Sequence, residues 1–242
     1  MRNTGWIRSG ATLGLALLLL LPVRAQQTAL TKGHLESAAI EVPRLVELLE
    51  LTPGMTIADV GAGFGAWTTA FARWTGPGGR VYATDIGTPQ LAALRAAVER
   101  EKLTNVTIVE GAANSTNLPA GCCDAILVRD AYHHFTEPEA MVKSLAAALK
   151  PGGRLAIVDF PPRSKTSVPA GVPANRQGHG VPPGIVEPEV GAVLTHVRTM
   201  PNWSPASEPA DLFLVIFRKA GGEDTRHDTG ERGVLPAMIE SQ

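Results

Sequence analysis

Past residue 55 the chain alternates short apolar runs with longer stretches of helical spacing. Residues 56–60 are a brief apolar run entering a glycine-rich turn, which predicts a buried strand. A helix is expected over 64–74, ended by Thr75-Gly-Pro-Gly-Gly79. The pattern then predicts a strand over 80–84, an Ala/Leu-rich helix over 89–102, and strands over 106–110 and 124–129. A helix over 138–149 is closed by Lys150-Pro-Gly-Gly153, and a fifth strand follows over 154–160. Strand and helix alternating in this way predict a parallel sheet with helices on both faces. The strands are continuous rather than alternating apolar runs, as expected when both faces are covered. Right-handed crossovers leave few topologies.

The flanks are less regular. Residues 35–50 carry Ile40, Leu45, Leu48 and Leu49 at helical spacing, with Pro43 a candidate break and Thr52-Pro-Gly54 a stop. The Pro- and Gly-rich stretch 161–184 predicts a lid or an irregular loop. A short helix over 185–194, weakened by Pro188, and a strand over 211–219 follow. No internal repeat is visible. The expected organisation is a leader over 1–25, a loose segment over 26–34, one domain over 35–220 and a disordered polar tail over 221–242.

Composition adds three constraints. The chain has 242 residues, 44% of them hydrophobic, which suits one sizeable domain. Residues 1–25 combine Arg2 and Arg8 with an uncharged, leucine-rich run over 9–23, then Val23-Arg24-Ala25. Small residues at both ends of that tripeptide fit a signal-peptidase site. Export to the periplasm or medium is expected if cleavage follows Ala25, and a membrane anchor if it does not. Membrane contact is expected only through that uncleaved leader. Without the leader 19 basic residues stand against 23 acidic ones, a net charge of −4. That is not the footprint of a nucleic-acid binder, so a small-molecule partner is expected. The only cysteines, Cys122 and Cys123, are adjacent, and the plain expectation is two small apolar residues entering a strand. A disulfide between neighbours is strained, and two cysteines cannot build a structural zinc site.

The turn Asp59-Val-Gly61-Ala-Gly63-Phe-Gly65 carries the clearest chemistry. Glycines let a backbone turn sharply and approach a ligand with no Cβ in the way. The helix start behind it offers free N–H groups. Two templates fit. Gly61, Gly63 and Ala66 match the dinucleotide spacing, with Asp85 about twenty residues on. Asp59 and Gly65 fit a different turn, D/E-x-G-x-G-x-G.

That second turn resembles the nucleoside-binding loop of class I S-adenosylmethionine-dependent methyltransferases. Further features stand in the order that family uses: Asp85 ending Val81-Tyr-Ala-Thr-Asp85, Leu118-Pro119 before Asp124-Ala-Ile-Leu127, the Leu149-Lys-Pro-Gly-Gly-Arg-Leu155 turn, and the late strand over 212–218. Ala131-Tyr-His-His-Phe135, after Asp130, resembles a bacterial branch related to the methyltransferase type 11 and quinone-biosynthesis groups, several members of which carry signal-like leaders. The resemblance implies a Rossmann-like doubly wound seven-stranded α/β sheet, mostly parallel with an antiparallel last strand. It implies S-adenosyl-L-methionine as cofactor and a small-molecule methyl acceptor.

Site roles follow from the same resemblance. Asp59 would orient the loop or meet the methionine ammonium, with Gly61, Ala62, Gly63 and Gly65 close to the cofactor. Asp85 would accept from the ribose hydroxyls, and Ile86 would pack on the adenine. Many relatives place an acid after strand three; here Asn114 offers an amide oxygen instead. Asp130, His133 and His134 fall at the carboxyl edge of the sheet, where open α/β sheets bind ligands, and are the catalytic candidates. Tyr132 is a candidate to frame the methyl group. Arg176, Gln177, His179 and Gly180 are candidates to close over the substrate, and Trp203 is expected in the core. No metal is expected, because adjacent histidines tend to diverge. A non-catalytic envelope binding protein and a nicotinamide-dependent oxidoreductase are the alternatives.

Overall fold

The computed structural model describes residues 22–204 and 211–221, with side chains from residue 33 onward. Most of the leader and the tail expected over 221–242 thus lie outside the described residues. Strands β1 (Thr56–Val60), β2 (Arg80–Asp85), β3 (Val106–Glu110), β4 (Cys123–Arg129) and β5 (Leu149–Asp159) follow the apolar runs. With β6 (Thr195–Met200) and β7 (Phe213–Arg218) they form one sheet of order β3-β2-β1-β4-β5-β7-β6. The first five strands pair in parallel, and β7 runs antiparallel to both β5 and β6. The mostly parallel, doubly wound sheet is the one expected.

Helices α1 (Pro22–Leu48), α2 (Ala66–Thr75), α3 (Thr88–Arg100), α4 (Pro138–Ala148) and α5 (Pro183–Gly191) cover it. Successive strand residues point to opposite faces. In β4, Ala125 and Leu127 therefore join one core with α1 and α2. Ile126 and Val128 join the other, with α4 and α5. All four are fully buried. Leu91 and Leu94 of α3 pack on Ala83 of β2.

Four local expectations change. Pro43 lies inside α1 without ending it. The buried face of that helix is Ala38, Val42 and Leu45, continued by Leu49 just past its end, while Ile40 is exposed. This stripe packs on both sides of the proline, and packing outweighs the hydrogen bond that proline removes. The backbone of 26–34, expected to be loose, is helical. The Lys150-Pro-Gly-Gly153 turn lies within β5, where the register slips against β4 between Cys123 and Ala125. Cys122 and Cys123 are joined as a vicinal disulfide. Cys123 is fully buried, so the pair does enter the strand as apolar residues, but not as free thiols.

Candidate cofactor and acceptor site

The chain leaves β1 toward β2 and β4 toward β5, so a crevice opens where these neighbouring strands end. A cavity of 490 Å³ fills it. The loop after β1 forms one wall. Gly61 has φ +74°, and a Cβ there would stand 2.5 Å from the Cβ of Ala131, in the loop after β4. Only glycine lets these loops meet. Gly63, at φ +54°, faces open space, a cradle that a ligand can enter. Ala62 and Gly63 line the cavity with Asp59. Gly65 does not line it; it packs on Leu94 at the start of α2.

Two carboxylates flank the loop. Asp85, at the end of β2, accepts from the backbone N–H of Gly63 at 2.9 Å through Oδ2. Its Oδ1 accepts from Ile86 and Gly87 at 2.8 and 3.0 Å. The glycine loop and the acid thus hold each other. A carboxylate has about four acceptor positions, so one remains for a ligand hydroxyl. Ile86 is 64% exposed on the cavity wall, an apolar side chain open to a flat partner. Asp59 is buried and accepts from Thr68 Oγ1 at 2.6 Å. Burial raises its carboxyl to about 6, against the opposing pull of the Thr68 hydrogen bond.

The loop after β3 is closed by a backbone bond from Ala112 N–H to Ser115 at 2.7 Å. Ala112, Ala113 and Ser115 line the cavity, whereas Asn114 is exposed at the tip and takes no part in the wall.

Beyond β4, Asp130 and His134 line the cavity and His133 does not. Asp130 adopts φ +53°, which turns the chain sharply at the strand end. His133 is fully buried, with Nδ1 2.8 Å from Oδ1 of Asp159. Its Nε2 lies 3.2 Å from Nε2 of His179, which the 161–182 loop returns to this place. The rings of His133 and His134 converge, with centroids 4.0 Å apart, contrary to the expected divergence. Partial burial, with His133 and His179 alongside, lowers His134 to about 4. It is neutral at pH 7 and a weak base.

Tyr132 and Arg176 do not reach the site. Tyr132 is buried and donates to Oε2 of Glu189 at 2.8 Å. Arg176 is fully buried and forks onto the same carboxylate at 2.8 and 3.0 Å. Together they pin the loop to α5. Burial and the adjacent Glu189 carboxylate push the Tyr132 hydroxyl far above its ordinary value.

One network was missed. Glu41 of α1 is fully buried and accepts from Trp67 Nε1 at 2.6 Å, Arg129 Nε at 2.8 Å and Trp203 Nε1. The Arg129 guanidinium stacks 3.8 Å above the Trp67 ring, and both residues line the cavity. An arginine ending the apolar run of β4 was the available signal. Trp203 is in the core, as expected.

Residues 58–157 match the family model described as methyltransferase domain. The match runs from Ala58 in β1 to Ile157 in β5 and so spans the loop, Asp85 and the β4 end. A ubiquinone/menaquinone biosynthesis C-methyltransferase of Shewanella frigidimarina is 30% identical over 117 residues, 48% of this chain and 46% of that protein. A nocamycin O-methyltransferase of Saccharothrix syringae is 32% identical over 122 residues, 50% of this chain and 44% of that one. The chain spans about half the length of these curated relatives. The crystal structure of an S-adenosylmethionine-dependent methyltransferase from Aquifex aeolicus superposes with a TM-score of 0.62 at 24% identity, covering 80% of this chain and 97% of that one. Residues 58–157 are thus similar to a methyltransferase domain, and the described residues adopt the Rossmann-like methyltransferase fold. No helix among the described residues is long and apolar enough to cross a membrane.

Proposed function

We propose that the chain is an S-adenosylmethionine-dependent methyltransferase acting on a small molecule. The observation that carries the reading is the mutual hold of Asp85 and the Gly63 N–H at the mouth of a cavity of 490 Å³. That volume suits a small-molecule ligand. Asp85 would take the ribose hydroxyls, Ile86 the adenine face, and Gly61, Ala62 and Gly63 the methionyl arm, with Asp59 near its ammonium. The cofactor supplies an electrophilic methyl on a sulfonium. The chain's own task is to align the acceptor and exclude water. The remaining wall, with Asp130, His134, Phe135 and Met141, is where the acceptor would lie.

The relatives named above methylate carbon in one case and oxygen in the other, so the acceptor class is the part to measure. Incubating the full chain with methyl-labelled cofactor and a panel of phenols, quinols, enols and carboxylic acids tests the reading. Label in an acceptor together with released S-adenosylhomocysteine is expected. Tight cofactor binding with no turnover across the panel would favour the non-catalytic binding protein. Export is part of the proposal, supported by the leader pattern and by a disulfide that suits an oxidising compartment. A mature chain beginning at Gln26 is the expected result of N-terminal sequencing after fractionation; an intact Met1 in the cytoplasmic fraction would remove export.

A further inference from the structure

We propose that His133, His134 and His179 form a binding site for a divalent first-row transition ion, zinc above all, at the acceptor end of the cavity. Imidazole nitrogens of all three lie within 4.8 Å of one another. Two ligands about 2.05 Å from a tetrahedral ion stand roughly 3.3 Å apart. The Nε2 atoms of His133 and His179 are already 3.2 Å apart. The His134 ring packs against His133, with centroids 4.0 Å apart, which keeps it in the cluster.

The support around the rings is that of a ligand set. Asp159 is fully buried, and its carboxylate faces Nδ1 of His133 at 2.8 Å. It also accepts from the backbone N–H of His133 and of Phe160 at 3.1 and 2.8 Å. A proton on Nδ1 serves that carboxylate, which leaves the lone pair on Nε2 facing His179. A carboxylate behind a histidine in this way fixes the ring and strengthens it as a ligand. Asp159 takes three donors through its two oxygens and so stands behind His133 as its support. The His179 backbone is tied by its N–H to Thr166 Oγ1 at 2.9 Å and by its carbonyl to the Arg163 N–H at 3.0 Å. Imidazole donors suit zinc, copper, iron and nickel rather than magnesium or calcium.

Three protein ligands leave a fourth position open, as catalytic rather than structural zinc sites do. His134 belongs both to the cluster and to the cavity wall, so the ion would stand at the cavity's edge. There it would hold an oxygen of the acceptor. That role rests on the methyltransferase reading; the site does not.

The test is calorimetric titration of chelator-treated full-length protein with zinc chloride, and with cobalt(II) followed by visible absorption. One ion per chain and a tetrahedral cobalt band are expected. His179→Ala and His134→Ala should each weaken binding about tenfold or more, by the scale of lost metal-site interactions. His196→Ala, whose ring bonds Thr199 away from the cluster, should leave it unchanged. Cofactor affinity, measured on the same samples, should survive in His179→Ala, so loss of metal and failure of the cofactor reading are told apart. No saturable binding by folded protein would overturn the site and leave a plain hydrogen bond from His179 to His133. So would an affinity unchanged in both variants.

Discussion

Asp59→Asn should make the protein more stable and a worse cofactor binder, and both effects should depend on pH. The carboxyl of Asp59 is raised from 3.8 to about 6 by burial. Folding therefore favours its protonated form. Its contribution to stability is complete below about pH 4 and is lost as pH rises through 6. The gap between the folded and unfolded values is worth about 3 kcal/mol at 1.36 kcal/mol per tenfold in proton affinity. Asn keeps an acceptor for Thr68 and carries no charge, so it escapes that loss. Urea unfolding followed by tryptophan fluorescence at pH 4, 5, 6 and 7.5 should show the variant gaining on the wild type by about 3 kcal/mol across the series. Cofactor affinity should move the other way. The wild type should bind more tightly as Asp59 ionises between pH 5 and 7, and the variant should lack that rise. Parallel stability curves for the two proteins would refute the burial argument. A rise in affinity shared by both would remove Asp59 from the ammonium.

Gly61→Ala places a Cβ 2.5 Å from that of Ala131 at a positive φ; a loss of about 2–4 kcal/mol is expected in chemical unfolding, with weakened cofactor binding. Arg176→Met strips the buried fork from Glu189; a loss of about 3 kcal/mol is expected, with faster proteolysis within 161–182 as the local signature. In an NMR titration the His134 ring should change protonation near pH 4 rather than near 6.5. An ordinary midpoint would mean that the ring is not desolvated as its place beside His133 and His179 implies.

What the sequence made legible follows from how local each signal is. β1 and β3 are short apolar runs between turn residues, and their bounds match the expectation residue for residue. β6 escaped because most of its side chains are exposed: an edge strand that buries little has no apolar run to show. Asp85 was legible as a strand-end acid at a fixed distance from the glycines. Asn114 stands exposed in the turn of 112–115, between Ala113 and Ser115 of the cavity wall, and that placement depends on how the turn folds rather than on its position in the chain. The Glu41 network joins residues up to 162 positions apart, and the His133–His179 pair spans 46. Neither has a local signature, and both depend on where the sheet brings distant loops. Arg176 shows the converse: a polar residue in a glycine-rich loop looks available to substrate, yet its charge is consumed by Glu189.

The measurement closest to the centre of the account is calorimetric titration of S-adenosylmethionine into the wild type and Asp85→Ala, each shown to be folded by circular dichroism. One-to-one saturable binding is expected for the wild type. The variant should bind about 10- to 100-fold more weakly, the scale of a lost charged hydrogen bond. Absence of binding by the folded wild type, or equal affinity in the two proteins, would contradict the account.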